Sequence, residues 1–137
     1  SVDVYRSQRM PWFLAFALGF SGCALVVQGR EEAGTKRLAE ALTIGAELHS
    51  PHALDYALAG LVLLFLRRGR ITRAVELYAF AQASSAAGTS QWFSDVVDPK
   101  YKAAIADLAA EAMADAEARG RAMDADNLTA ALLRELS

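Results

Sequence analysis

Apolar residues along this chain recur at helical spacing almost from end to end, and nowhere in the strict alternation of a half-buried strand. Residues 12–27, WFLAFALGFSGCALVV, carry no charge, and the run 57–66 is again almost wholly apolar. Between them, Leu38, Ala41, Leu42, Gly45 and Leu48 recur every three or four residues and describe one buried stripe. The predicted elements are a first helix from Pro11 to about Gln28, a second over 31–48, a third over 51–68 and a fourth over 71–87. Ala74, Leu77, Tyr78, Ala81 and Ala86 are expected to face inward on the fourth. Gly29, Gly69 and Gly88 fall where helices need a left-handed stop, and Pro11 and Ser50-Pro51 fall where helices begin. Beyond Gly88 the reading is a loop or short helical turn over 89–97 with Trp92, then a long helix opened by Asp98-Pro99 and stopped by Gly120. A short final helix over 125–136 follows, capped by Asp124.

The pattern repeats. Laying residues 11–48 over 51–88 gives nine identities, among them Pro11/Pro51, Gly29/Gly69 and Arg30/Arg70, which sit at matching punctuation. A period near forty describes a helix pair joined by a glycine turn and stacked on its copy. The expected fold is therefore all-α: antiparallel helix pairs over 11–48 and 51–88, closed by C-terminal capping helices over 98–136, in one domain spanning 1–137. The first helix is apolar nearly all round. An earlier repeat of a longer protein, or a second copy of this chain through helix 11–28, is expected to cover it.

Composition agrees with a globular helical domain. The chain has 137 residues, 54% hydrophobic and 22% charged, and only three prolines. A net charge of −2 supplies no general attraction to nucleic acid or anionic lipid. The single cysteine, Cys23, lies in an apolar run and reads as a small core residue. The uncharged run 12–27 spans about 24 Å, short of a hydrocarbon core of roughly 30 Å, so a buried helix is preferred to a membrane span. No secretory signal pattern is visible, and a cytoplasmic location is expected.

The repeats resemble tetratricopeptide-like repeats, in Leu18-Gly19, Gly29-Arg30 and Ala41-Leu42, with a helical period nearer forty than thirty-four. The stretch Ala118-Arg119-Gly120-Arg121-Ala122-Met123 and the Asp-capped helix after it resemble the ending of such arrays in large bacterial transcriptional regulators and signalling ATPases of the LuxR-like, AfsR-like and cyclase-linked kinds. Ala74, Ala81 and Gly88, and Tyr101, Leu108 and Glu111, match helices upstream of that ending. The resemblance implies a tetratricopeptide-like superhelix from a longer protein. It implies a non-catalytic scaffold that binds a protein segment or the protein's own upstream domains. The family's ATPase and DNA-binding domains lie outside this sequence, and their activities do not carry over.

Catalytic chemistry is not visible. No glycine-rich loop precedes a Lys-Ser or Lys-Thr pair, and Ser84-Ser85 lack a nearby base. Glu111, Asp115 and Glu117 read as a solvated helix face. His49, His52 and Asp55 are close enough in sequence to suggest a metal, but exposed turn residues are the preferred reading. No catalytic, cofactor or metal residues are therefore assigned. Arg67, Arg68, Arg70 and Arg73 cluster at the third helix's end, where they favour the helix dipole. The binding candidates are aromatic: Trp12, Phe16 and Tyr56 on the first helix of each pair, and Trp92, with core packing as the competing reading. An effector sensor whose apolar helices wall a closed pocket is the alternative function.

Overall fold

The structure, a computed structural model, describes residues 2–49, 54–84 and 91–136. Among these, seven α-helices and no strands occur: α1 (Val2–Val27), α2 (Glu31–Leu48), α3 (Asp55–Arg67), α4 (Ile71–Ser84), α5 (Gln91–Ile105), α6 (Ala110–Ala122) and α7 (Ala125–Leu136). The fold is all-α. α1 packs on α2 and α3; α3 is enclosed by α1, α2, α4 and α5; α6 lies on α4, and α7 lies on α2.

The forty-residue repeat ends each first helix in the same way. Gly29 and Gly69 take φ of +84° and +75°, the left-handed region that glycine enters without a Cβ clash. At the first turn, Gly29 N–H donates to Val26 O and Arg30 N–H to Leu25 O; at the second, Gly69 N–H donates to Leu66 O and Arg70 N–H to Phe65 O. This paired 5→2 and 6→1 bonding is a Schellman motif, and it satisfies carbonyls that a helix end leaves open. The side-chain contact that accompanies such a motif is supplied at the second turn by the Arg70 guanidinium, 4.9 Å from the Phe65 ring centre. Arg30 and Arg70 then accept the first bonds of α2 and α4 at their carbonyls, so each turn is only three residues wide.

α3 is the centre of the core. Every residue from Ala57 to Phe65 is buried, as its uncharged run requires. The neighbouring helix comes very close: a Cβ built on Gly19 would stand 2.8 Å from the backbone nitrogen of Ala57, and one on Gly60 would stand 3.1 Å from Cys23 Cα. Backbone-to-backbone contact of this kind is open only to glycine. It explains why small residues interrupt two otherwise large-residue helices. Leu38, Ala41, Leu42 and Gly45 of α2 are buried as the spacing predicts, with Leu48 half-buried. Ala74, Leu77 and Ala81 of α4 are buried and Tyr78 is half-buried, while Ala86 lies outside the described residues.

Several boundaries differ from the sequence reading. α1 begins at Val2, so Pro11 stands inside a helix rather than in its first turn, and the helix forgoes one i→i−4 hydrogen bond there. The helix expected over 98–119 is two helices. α5 runs through Pro99, held by Phe93, Val97 and Tyr101, a buried stripe spaced by four residues on either side of the proline. The chain then breaks over 106–109, where Leu108 N–H turns back to Ile105 O and Ala109 becomes extended. Trp92 is thereby a residue of α5, not of a loop. The Ser50-Pro51 helix start and the Gly88 stop lie outside the described residues. At Asp124 the reading holds: its Oδ2 accepts from Asn127 N–H at 3.1 Å and caps α7.

Gly120 is not a stop. α6 continues through it to Ala122, and the residue is buried against α4, where a Cβ would collide with the Glu76 carbonyl oxygen and stand 2.9 Å from Ala79 Cβ. In a free helix, glycine to alanine gains about 1 kcal/mol. Here the added methyl has to push α6 off α4, and Gly120→Ala is expected to destabilise by about 1–3 kcal/mol in a denaturant titration. Gly69→Ala, with open space around its Cβ, is expected to lose only the left-handed strain of about 1–2 kcal/mol.

Candidate functional site

The aromatic residues singled out from sequence converge. On α1, Trp12, Phe16 and Phe20 stand four residues apart and share one side of the helix. Tyr56, in the first turn of α3, meets two of them edge-to-face, with ring centres 5.2 Å from Phe16 and 5.7 Å from Phe20. Trp92, in the first turn of α5, reaches Tyr56 at 4.9 Å and Phe20 at 5.8 Å. Trp12 closes the far end at 4.2 Å from Phe16, the two planes at 87°. Phe16 and Tyr56 occupy matching positions of the forty-residue repeat. The glycine contact between α1 and α3 sits beside them, since the Cβ of Gly19 would also touch Tyr56 Cβ at 3.1 Å.

Four predicted residues, Trp12, Phe16, Tyr56 and Trp92, thus form one cluster drawn from three helices. All four are half-buried, and Phe20, which the sequence reading missed, is 51% exposed. The spacing 12, 16, 20 was the available signal for it. Perpendicular rings are favoured by their quadrupoles, each such pair adding about 0.5–1.5 kcal/mol beyond area burial. The result is a stiff aromatic surface, part packed and part open. It can receive apolar or aromatic side chains, or a cation over a ring face, with little ordering cost.

The arginine cluster is occupied elsewhere. Arg73, only 14% exposed at its side chain, bonds Glu135 through Nε and Nη2 and Glu76 through Nη1; Glu76 in turn accepts from Arg119 Nε at 2.7 Å. Burial works against the Arg73 charge, and the bonds to Glu135 and Glu76 outweigh it and hold the guanidinium above its ordinary range. Arg70 adds a bond to Glu135 at 3.2 Å, Arg67 lies 3.8 Å from Glu31, and Arg68 donates to the Thr35 hydroxyl. These arginines fasten α4 to α6 and α7, and α3 to α2.

His49 ends α2 with φ of +50° and its Nδ1 lies 3.4 Å from Asp126 Oδ1, both side chains well exposed. His52 and Ser85 lie outside the described residues. Among the described residues no group of three His, Cys, Asp or Glu side chains is placed to hold a metal ion. Glu111 and Asp115 are exposed, and Glu117 is half-buried and lies 3.9 Å from Arg121. Burial pushes the Cys23 thiol up to about 11, which fits a core residue and not a nucleophile. The segment Met10–Val27 is, by length and composition, long and apolar enough to cross a membrane, and a third of it is buried in the fold.

Tyr78 of α4 and Tyr101 of α5 stack with ring centres 3.9 Å apart and planes at 11°. The Tyr78 hydroxyl donates to Asp98 Oδ1 at 2.8 Å. Burial, then this bond to a carboxylate, pushes Tyr78 up to about 12; burial and the nearby Glu117 charge push Tyr101 higher still. Both phenols are held neutral in the folded chain. Their contribution to stability is complete below the ordinary phenol value of 10 and is lost as pH climbs through the raised values. Thermal stability is therefore expected to fall from pH 10 upward, and less steeply in Tyr78→Phe with Tyr101→Phe, as followed by circular dichroism. No protein-family model, curated protein or solved structure matches this chain.

Proposed function

We propose that this chain is a non-catalytic protein-interaction module whose recognition surface is the aromatic cluster of Trp12, Phe16, Phe20, Tyr56 and Trp92. The observation that carries this reading is the convergence of those rings, from α1, α3 and α5, on one partly exposed surface. Half-buried tryptophan and tyrosine anchors on rigid helices are the residue types on which protein recognition most often depends. The partner is a protein segment presenting apolar or aromatic side chains, or an upstream domain of the same protein.

The packing of α3 on α1 and of α5 on α3, with α6 on α4 and two matching glycine turns, supports a tetratricopeptide-like superhelical array. The Gly120-Arg121-Ala122-Met123 resemblance supports placing it in a bacterial transcriptional regulator or signalling ATPase, in the cytoplasm. The alternative, an effector sensor with a closed pocket between first helices, is disfavoured by the glycine contacts that bring α1 onto α3.

The chain has two tryptophans, and both belong to the cluster, so its intrinsic fluorescence reports directly on occupancy. Peptides selected for binding to the chain are expected to shift its tryptophan emission. Tyr56→Ala and Trp92→Ala are expected to weaken their binding by about 30-fold, the size of a recognition hot spot. Arg68→Ala, at the opposite end of α3, is expected to bind normally. Ligands that bind both aromatic variants as tightly as the parent chain would remove the cluster as the site.

A further inference from the structure

Among the described residues the exposed large apolar side chains all belong to α1: Met10, Phe13, Leu14, Phe20 and Val27, between 45% and 67% exposed. Met10, Phe13, Ala17, Phe20, Ala24 and Val27 follow one another at spacings of three, four, three, four and three, the stripe of a helix that pairs along its length. No charged residue occurs between Arg9 and Arg30. The forty-residue repeat shows what kind of neighbour this face takes. Ala17 and Phe20 correspond to Ala57 and Gly60, and those are the positions at which α3 is covered by α1. The same face is covered by a helix in one repeat and left about half exposed in the other.

The stripe alternates in size. One set of positions holds Phe13, Phe20 and Val27; the other holds Met10, Ala17 and Ala24. Aligned in parallel, two such helices would stack phenylalanine on phenylalanine and leave alanine facing alanine. Aligned antiparallel about a two-fold axis between Leu18 and Gly19, Phe13 meets the partner's Ala24, Ala17 meets the partner's Phe20, and Met10 meets the partner's Val27. Every layer then sets a larger side chain against a smaller one, the interdigitation that dense packing requires. The four large side chains of the stripe, with Ala17 and Ala24 between them and Leu14 on its flank, expose about 500 Å² per copy, or about 1,000 Å² in total, the threshold of a specific interface. We propose that the exposed face of α1 is a self-complementary dimer interface in which two copies of the chain pair antiparallel through Met10–Val27. Phe20 is the one residue this stripe shares with the aromatic recognition cluster; Met10, Phe13, Ala17, Ala24 and Val27 lie outside it.

Light scattering and sedimentation equilibrium of the chain test it. The parent chain is expected to be dimeric at tens of micromolar, and Ala17→Glu, which puts a charge in the central layers, to weaken the dimer about 100-fold with unchanged helicity. The alignment is read by disulfide trapping in a Cys23→Ala background. Ala24→Cys copies mixed with Phe13→Cys copies are expected to form a mixed disulfide, and Ala24→Cys copies alone to form none. A monomeric parent chain, a dimer indifferent to Ala17→Glu, or self-linked Ala24→Cys would overturn the proposal. So would co-flotation of the parent chain with phosphatidylglycerol-containing vesicles that Ala17→Glu abolishes, which would assign the face to lipid. Phe20 is kept in every one of these variants, and peptide binding is read separately by Trp92→Ala.

Discussion

Ala57 to Phe65 forms nine residues of helix without a polar side chain, and burying it requires a neighbour on every side. α1, α2, α4 and α5 supply those neighbours. Each buried leucine or phenylalanine there contributes about 1.5–3 kcal/mol, so no surrounding helix can withdraw without a large loss. The close approach at Gly19 and Gly60 sets how near α1 lies. That distance in turn decides where Phe16 and Phe20 stand relative to Tyr56. The aromatic surface is thus a consequence of how the core helix is covered, and its rings need no separate scaffold.

The C-terminal helices are held by a different kind of contact. α6 has few large apolar residues, and it is seated through Gly120 on the backbone of α4 and through Arg119 on Glu76. α7 adds Leu128 and Leu132 to the core and fixes its far end with Glu135 on Arg70 and Arg73. Arg73 and Glu76 are shielded enough that their bonds count for more than ordinary surface ion pairs. Of the arginines that the sequence places against the dipole of the third helix, Arg70 and Arg73 fasten α4 to α7 through Glu135.

The features legible in the sequence are those with local causes. Gly29 and Gly69 were readable because a Schellman turn demands a left-handed residue at one place, and the repeat marked that place twice. Asp124 was readable because its cap is made three residues away. Gly120 was misread because its reason is a contact with Glu76, forty-four positions earlier, which no local pattern displays. Pro11 and Pro99 suggest helix starts, where proline is common; tertiary packing of the Phe93, Val97 and Tyr101 stripe overrides that preference at Pro99. The break after Ile105 falls in an alanine-rich run with no glycine or proline, so nothing local announces it. The choice of Trp12, Phe16, Tyr56 and Trp92 was legible as residue type and helix membership. Their meeting was not, because it depends on how α5 packs across α3.

The dependence of the aromatic surface on backbone contact is tested most directly at Gly19. Alanine there improves intrinsic helix propensity by about 1 kcal/mol, so a helix merely lying near its neighbour would be stabilised. The added methyl would stand 2.8 Å from the Ala57 nitrogen and 3.1 Å from Tyr56 Cβ. Near-ultraviolet circular dichroism of Gly19→Ala, recorded with its unfolding curve, measures both consequences together. The account predicts a weakened aromatic signal and lower stability, as α1 lifts from α3 and the rings lose their fixed geometry. An unchanged aromatic spectrum with equal or higher stability would contradict it.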